Sequence, residues 1–162
     1  MKYKVKTINL LFIFLFLSIS ISGCKISSKP SESEVEREVF EMVNQHRVSI
    51  GLNALERNET IAGECRTHSR NMASGSVPIG HDGFDQRAVN IRNTIPYTLI
   101  GENVAYSNVG SGGSSPASLV LNEWLNNSQH RGNIEGNYNL TGVGVARDGN
   151  KYYITQIFVN SN

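Results

Sequence analysis

Four histidines and one oddly placed acid are the residues of this chain with the most chemistry to offer. His81 stands in "GSVPIGHDGFDQR", a loop broken by glycine and proline. His130 stands in "NNSQHRGNI", just past an apolar-striped helix around Trp124. Functional groups concentrate in such segments, where a rigid scaffold positions them and solvent still reaches them. His46 and His68 fall inside helical patterns, where a surface or core place is the default. Glu102 lies within "YTLIGENVAYS", an otherwise apolar, strand-like run. A carboxylate is costly to bury unless something pairs with it, so Glu102 is either paired for function or a surface charge on an edge strand. Two imidazoles and a carboxylate form the donor set of a zinc site with one open position. His81, His130 and Glu102 would then be ligands of zinc or another weakly held divalent cation. A metal-bound water there would serve a hydrolase, with Glu102 and His130 as its catalytic groups. The three are scattered along the chain, so their spacing alone does not establish the site. The chain contains no H-E-x-x-H, no P-loop, no G-x-S-x-G and no cysteine pair at zinc spacing.

The N-terminus indicates the compartment. "MKYKVK" carries three lysines and no acid, "INLLFIFLFLSISIS" is almost purely apolar, and "ISGC" closes the run at Cys24. A basic region, an apolar region and a small-residue cleavage site make a secretory signal, and the run is short for a membrane span. The segment resembles a bacterial lipoprotein signal, cut before the cysteine. Residues 1–23 are then the signal, Cys24 is the lipidated N-terminus, and residues 24–33 form a polar tether. Several acyl chains anchor stably where one is marginal. The expected location is the bacterial cell envelope, lipid-anchored, at the outer membrane or cell surface. Removing residues 1–23 leaves 15 − 3 = 12 basic and 14 acidic residues, a net charge of −2. That balance gives no electrostatic footprint for nucleic acid. With Cys24 acylated, Cys65 has no disulfide partner and reads as a small buried hydrophobe. Residues 34–162 must therefore stabilise a single domain through its core.

Elements that could position these residues follow from the apolar pattern. Ser33 and Glu36 read as a capping box before a helix with Val35, Val39, Met42, Val43 and Ile50 on one stripe, stopped at Gly51. A second helix, from about Glu59 to Ser74, places Ile61, Cys65, His68 and Met72 on one side. A short helix runs through "FDQRAVNIRN". The strand "YTLIGENVAYS" is interrupted at Gly101–Asn103, and "NVGSGGSSP" reads as a flexible loop. Ser115 and Pro116 start a helix whose buried face is Ala117, Val120, Leu121, Trp124 and Leu125. It ends near Ser128, which leaves His130 at its C-terminal edge and Arg131 able to cap its last carbonyls. "TGVGVAR" and "KYYITQIFV" form a hairpin about Asp148–Asn150. Its glycine face, Gly142 and Gly144, lets a helix or ligand approach closely. The order predicts an α+β layered fold with an antiparallel sheet.

Seven segments in this order resemble the CAP superfamily, whose module is also called the SCP domain and which includes cysteine-rich secretory, antigen 5 and pathogenesis-related proteins. They are "MVNQHRVSIGLNAL", "CRTHSRNMA", "GHDGFDQR", "GENVAYS", "EWLNNSQHRGNI", "TGVGVAR" and "YYITQIF", spanning about residues 34–160. The resemblance implies an α-β-α sandwich with a central antiparallel sheet and an open cleft holding two histidines and two glutamates. By position these are His81, Glu102 and His130, with Asn127 where the second glutamate stands in animal and plant members. Glu123, one helical turn earlier, is not the matching residue. Asn44 and Arg47 fit the first-helix signature as scaffold hydrogen-bonding groups. The resemblance implies a surface-displayed, non-enzymatic binding module for a lipid or sterol-like ligand, or for an envelope or host protein. The alternative is a metal-dependent hydrolase, a peptidase or cell-wall enzyme.

Overall fold

The computed structural model describes residues 29–109 and 114–161. The expected signal, Cys24 and residues 25–28 of the tether lie outside the described residues, as does the middle of the glycine- and serine-rich loop. Nine elements follow in order: α1 (Glu32–Ser49), β1 (Glu56–Arg57), α2 (Glu59–Ala73), α3 (Phe84–Arg92), β2 (Tyr97–Asn108), α4 (Pro116–Asn126), α5 (Ser128–Ile134), β3 (Leu140–Asp148) and β4 (Lys151–Ser161). The sheet order is β1-β3-β4-β2. Both long pairings are antiparallel, and only the two-residue β1 runs parallel to β3.

Alternation along the strands splits the core into two layers. One face of the sheet, with Ala105, Val143, Val145, Ile154 and Phe158, packs under α1, α4 and α5 through Val35, Val39, Val43, Val120, Trp124 and Ile134. The other face meets α2 and α3, with Ile157 and Val159 against Ile61, Cys65 and Ile91. The architecture is an α-β-α sandwich. Its closest approach is α2 on β3. A Cβ on Gly142 would collide with the backbone at Ile61 and Ala62, and one on Gly144 with the backbone at Cys65 and Arg66. The glycine face therefore admits a helix.

Buried polar groups tie the layers together. The Glu36 carboxylate on α1 takes two 2.8 Å hydrogen bonds from Arg66 on α2 and one of 3.2 Å from the Val145 amide on β3. Arg47, near the end of α1, donates to the carbonyls of Asn53, Ile134, Gly136 and Tyr138. Asn44 exchanges two hydrogen bonds with the Leu55 backbone. Both α1 residues thus hold loops in place. Cys65 is a buried free thiol whose Sγ donates to the Gly142 carbonyl, and burial pushes its pKa far up.

Three local expectations need correction. The capping box of α1 is Ser31 with Glu34, not Ser33 with Glu36, because Glu36 is needed in the interior. Ile50 is 49% exposed; the helix has ended before it, with Gly51 at φ 84°. The polar trio Gly101–Asn103 does not interrupt β2, which continues through it in register with β4.

Two glycine substitutions test the closeness of this packing. Gly144→Ala should destabilise the fold by about 3 kcal/mol, the upper end for overpacking, since backbone must move. Gly63→Ala, on α2 with open space around it, should stabilise by up to about 1 kcal/mol through helix propensity. Denaturant midpoints measure both. A thiol reagent should label Cys65 only as fast as the protein unfolds.

Candidate functional site

Glu102 and Asn103 are adjacent on β2, so strand alternation sends them to opposite faces of the sheet. Because β2 is an edge strand, the two faces communicate around its free side. Asn103 serves the α5 side: its Nδ2 donates to the His130 carbonyl at 2.9 Å, and its Oδ1 accepts from Asn133 at 2.9 Å. Asn133 also donates to the Glu102 carbonyl at 3.0 Å. Gly101, on the Asn103 face, has no room for a side chain, since a Cβ would lie 2.6 Å from the Tyr138 hydroxyl. The "GEN" trio is therefore a close-packing residue, a site acid and a clamp.

Glu102 serves the α3 side. Its side chain is 1% exposed and is held by Arg87, itself only 9% exposed. Arg87 Nε donates to Oε2 and Nη2 to Oε1, each at 2.8 Å. His81 Nδ1 lies 2.9 Å from the same Oε1. Since a carboxylate accepts, His81 carries a proton on Nδ1, and in the neutral ring Nε2 is then the acceptor. The His81 side chain is 53% exposed, so the ring is open to solvent. The loop that carries His81 is fixed at both ends. His68 Nε2 donates to the Gly80 carbonyl at 2.7 Å, and Arg87 Nη1 donates to the Asp82 carbonyl at 2.8 Å.

His130 reaches the site from the other side of β2. It does not sit past the last helix, as expected, but within α5, a separate short helix that begins where Asn127 breaks α4. Asn127 is the N-cap: its Oδ1 accepts from the Gln129 and His130 amides. Its amide oxygen therefore serves α5, and Asn127 stands exposed rather than as a cleft ligand. Arg131 donates to the Leu125 carbonyl, as a cap on α4 should. The His130 ring stands edge-on to Trp124, with centroids 6.5 Å apart. Its Nδ1 is buried with no hydrogen-bond partner among the described residues. Burial lowers its pKa, and Glu123 opposes that. No hydrogen bond joins His130 to His81 or Glu102 among the described residues.

The expected metal triad does not assemble. Among the described residues no group of three or more His, Cys, Asp or Glu side chains is placed to hold a metal ion. The donor chemistry explains why: Glu102 gives both oxygens to Arg87 and one of them also to His81. The residues present do not fit a cation bound at Glu102. Sequence reading missed Arg87. The available signal was physical: a carboxylate inside a strand needs a cation, and "HDGFDQR" supplies one six residues after His81.

An α-β-α sandwich with a His–Glu pair at the edge strand defines the class. The chain belongs to the CAP, or cysteine-rich secretory protein, family, whose model matches residues 40–159. It is 30% identical over 139 residues to the uncharacterized protein YkwD of Bacillus subtilis (strain 168), covering 82% of this chain and 50% of YkwD. The chain thus spans about half the length of that relative. Among solved structures, an outer surface protein from Borrelia burgdorferi is similar with a TM-score of 0.68 at 18% identity, over 83% of this chain and 98% of that one. NaASP2 crystallised with Zn2+ is similar with a TM-score of 0.53 at 16% identity, over 84% of this chain and 83% of that one. At such identities the structural likeness establishes the fold.

Two measurements follow. Arg87→Met should cost about 3–5 kcal/mol, the penalty for leaving one partner of a buried pair alone, read as a lower denaturant midpoint. His68 and His130 both have pKa values lowered by burial. A group depressed in the fold binds protons more readily when unfolded, so its contribution is complete above about pH 6.5 and is lost as pH falls below that. The melting temperature should drop between about pH 6.5 and 5, less steeply in His68→Gln.

Proposed function

We propose that this protein is an extracytoplasmic, lipid-anchored recognition module whose cleft binds a ligand by hydrogen bonding. The observation that carries the reading is the Arg87–Glu102–His81 arrangement. It neutralises the cleft acid and leaves one oriented imidazole as the acceptor. Glu102 itself could act as general acid or metal ligand only with its carboxylate free, and here it is committed to Arg87 and His81. The segments that resemble a lipoprotein signal support display on the envelope, with Cys24 as the lipidated residue. A structural neighbour named as an outer surface protein agrees with that location. No helix among the described residues is long and apolar enough to cross a membrane, and the lipid on Cys24 is the anchor in this reading. The ligand classes that suit it are a lipid or sterol-like molecule, or an envelope or host protein.

The competing reading, a metal-dependent peptidase or cell-wall hydrolase, draws support from the Zn2+ in NaASP2. It requires His81, His130 and Glu102 to share a cation, against the commitment of Glu102 to Arg87.

Three experiments separate these readings and test the anchor and the ligand class. Wild type should partition into detergent and Cys24→Ala into water; equal partitioning would remove the lipid anchor. Soluble Cys24→Ala protein should turn over neither peptide nor peptidoglycan, with or without added zinc. Chelator-sensitive turnover that disappears in the His81→Ala/His130→Ala double variant would establish the hydrolase instead. Sterol-containing vesicles should retain the soluble protein better than sterol-free ones if the ligand is sterol-like; equal retention removes the sterol from the ligand classes.

A further inference from the structure

We infer that the Arg87 guanidinium occupies the cation position of the cleft, making His81–Glu102 a metal-independent site whose exposed imidazole nitrogen accepts a hydrogen bond from a ligand hydroxyl or amine. The inference deepens the recognition reading and rests on it.

The acceptor capacity of Glu102 is nearly used up. A carboxylate offers about four lone-pair sites. Arg87 takes two through a paired fork, at 2.8 Å on each oxygen, and His81 Nδ1 takes a third at 2.9 Å. The remaining site lies beside a permanent positive charge, and a dication placed there would be repelled at short range where water does little screening. Arginine cannot relieve this by losing its proton at any ordinary pH.

The guanidinium is also locked in place. Its Nη1 donates to the Asp82 carbonyl. That carbonyl belongs to a loop which turns at Gly83 with φ 77°, where an added Cβ would already touch Nη1 at 3.4 Å. The loop is therefore wrapped around the arginine, and each of the three guanidinium nitrogens donates a hydrogen bond. A lysine would supply the charge without the paired geometry. Glu102 then acts on His81 alone, holding the proton on Nδ1 and turning Nε2 outward.

The test uses zinc as the probe on the full-length lipoprotein in detergent. Isothermal titration should show wild type and His81→Ala indistinguishable in zinc binding. Nitrogen-15 spectra of the imidazoles should show His81 protonated on Nδ1 and unmoved by zinc or by chelator. Arg87→Gln, which removes the charge, should bind zinc at least tenfold more tightly than wild type, and adding His81→Ala should abolish the gain. A wild-type zinc affinity that His81→Ala weakens tenfold or more would overturn the inference. So would zinc-induced movement of the His81 signals, or an Arg87→Gln protein that folds and gains nothing. If Arg87→Gln does not fold, the comparison of wild type with His81→Ala and the spectra decide alone. None of these three overturning results touches the recognition reading unless turnover accompanies it.

Discussion

Burying one carboxylate in the middle of a strand sets the terms for the rest of this site. Glu102 cannot leave water uncompensated, and its position on β2 sends it toward α3. The compensation must come from a residue whose reach and charge do not depend on pH. Arg87 meets both conditions, and its placement requires α3 to begin at Phe84, after a glycine turn. His81 is then carried to the carboxylate by the same loop. The site is thus a consequence of one electrostatic demand met by one short helix.

The same solution appears once more in the molecule. Glu36 and Arg66 form a second bidentate fork, with the carboxylate buried and the arginine part-exposed. The bidentate pair there ties α1 to α2, while Gly142 and Gly144 allow α2 to descend onto the sheet. Seated this deeply, α2 can present His68 to the Gly80 carbonyl, which steadies the approach to His81. Packing of the scaffold and orientation of the site are therefore coupled through α2.

Much of the fold was legible in the sequence because it rests on apolar periodicity. The α2 stripe, the proline-started α4 and the glycine-faced hairpin each follow from residue spacing, and all stand where the pattern puts them. What escaped reading depended on partners distant in sequence. The polar trio looked like a break in a strand because its satisfying groups, Arg87, Asn133 and Tyr138, lie elsewhere in the chain. Asn127 looked like a substituted cleft residue, yet its short amide starts a new helix and so relocates His130. The capping box read at Ser33 and Glu36 falls at Ser31 and Glu34, because a requirement far away in sequence takes Glu36 into the interior. The two-residue β1 carries too little pattern to be seen at all.

The free side of β2 has one further consequence. An edge strand of this length, with Leu99 and Tyr106 exposed, offers backbone groups on which strands from other molecules can nucleate. Here Asn133 occupies the Glu102 carbonyl and the Trp124 indole occupies that of Val104. The middle of the edge is thereby blocked by side chains that the fold needs for other reasons. On a surface where many copies are held at high local density, such a plug keeps neighbouring molecules from zipping sheet to sheet, and it leaves only the ends of β2 open to an incoming strand.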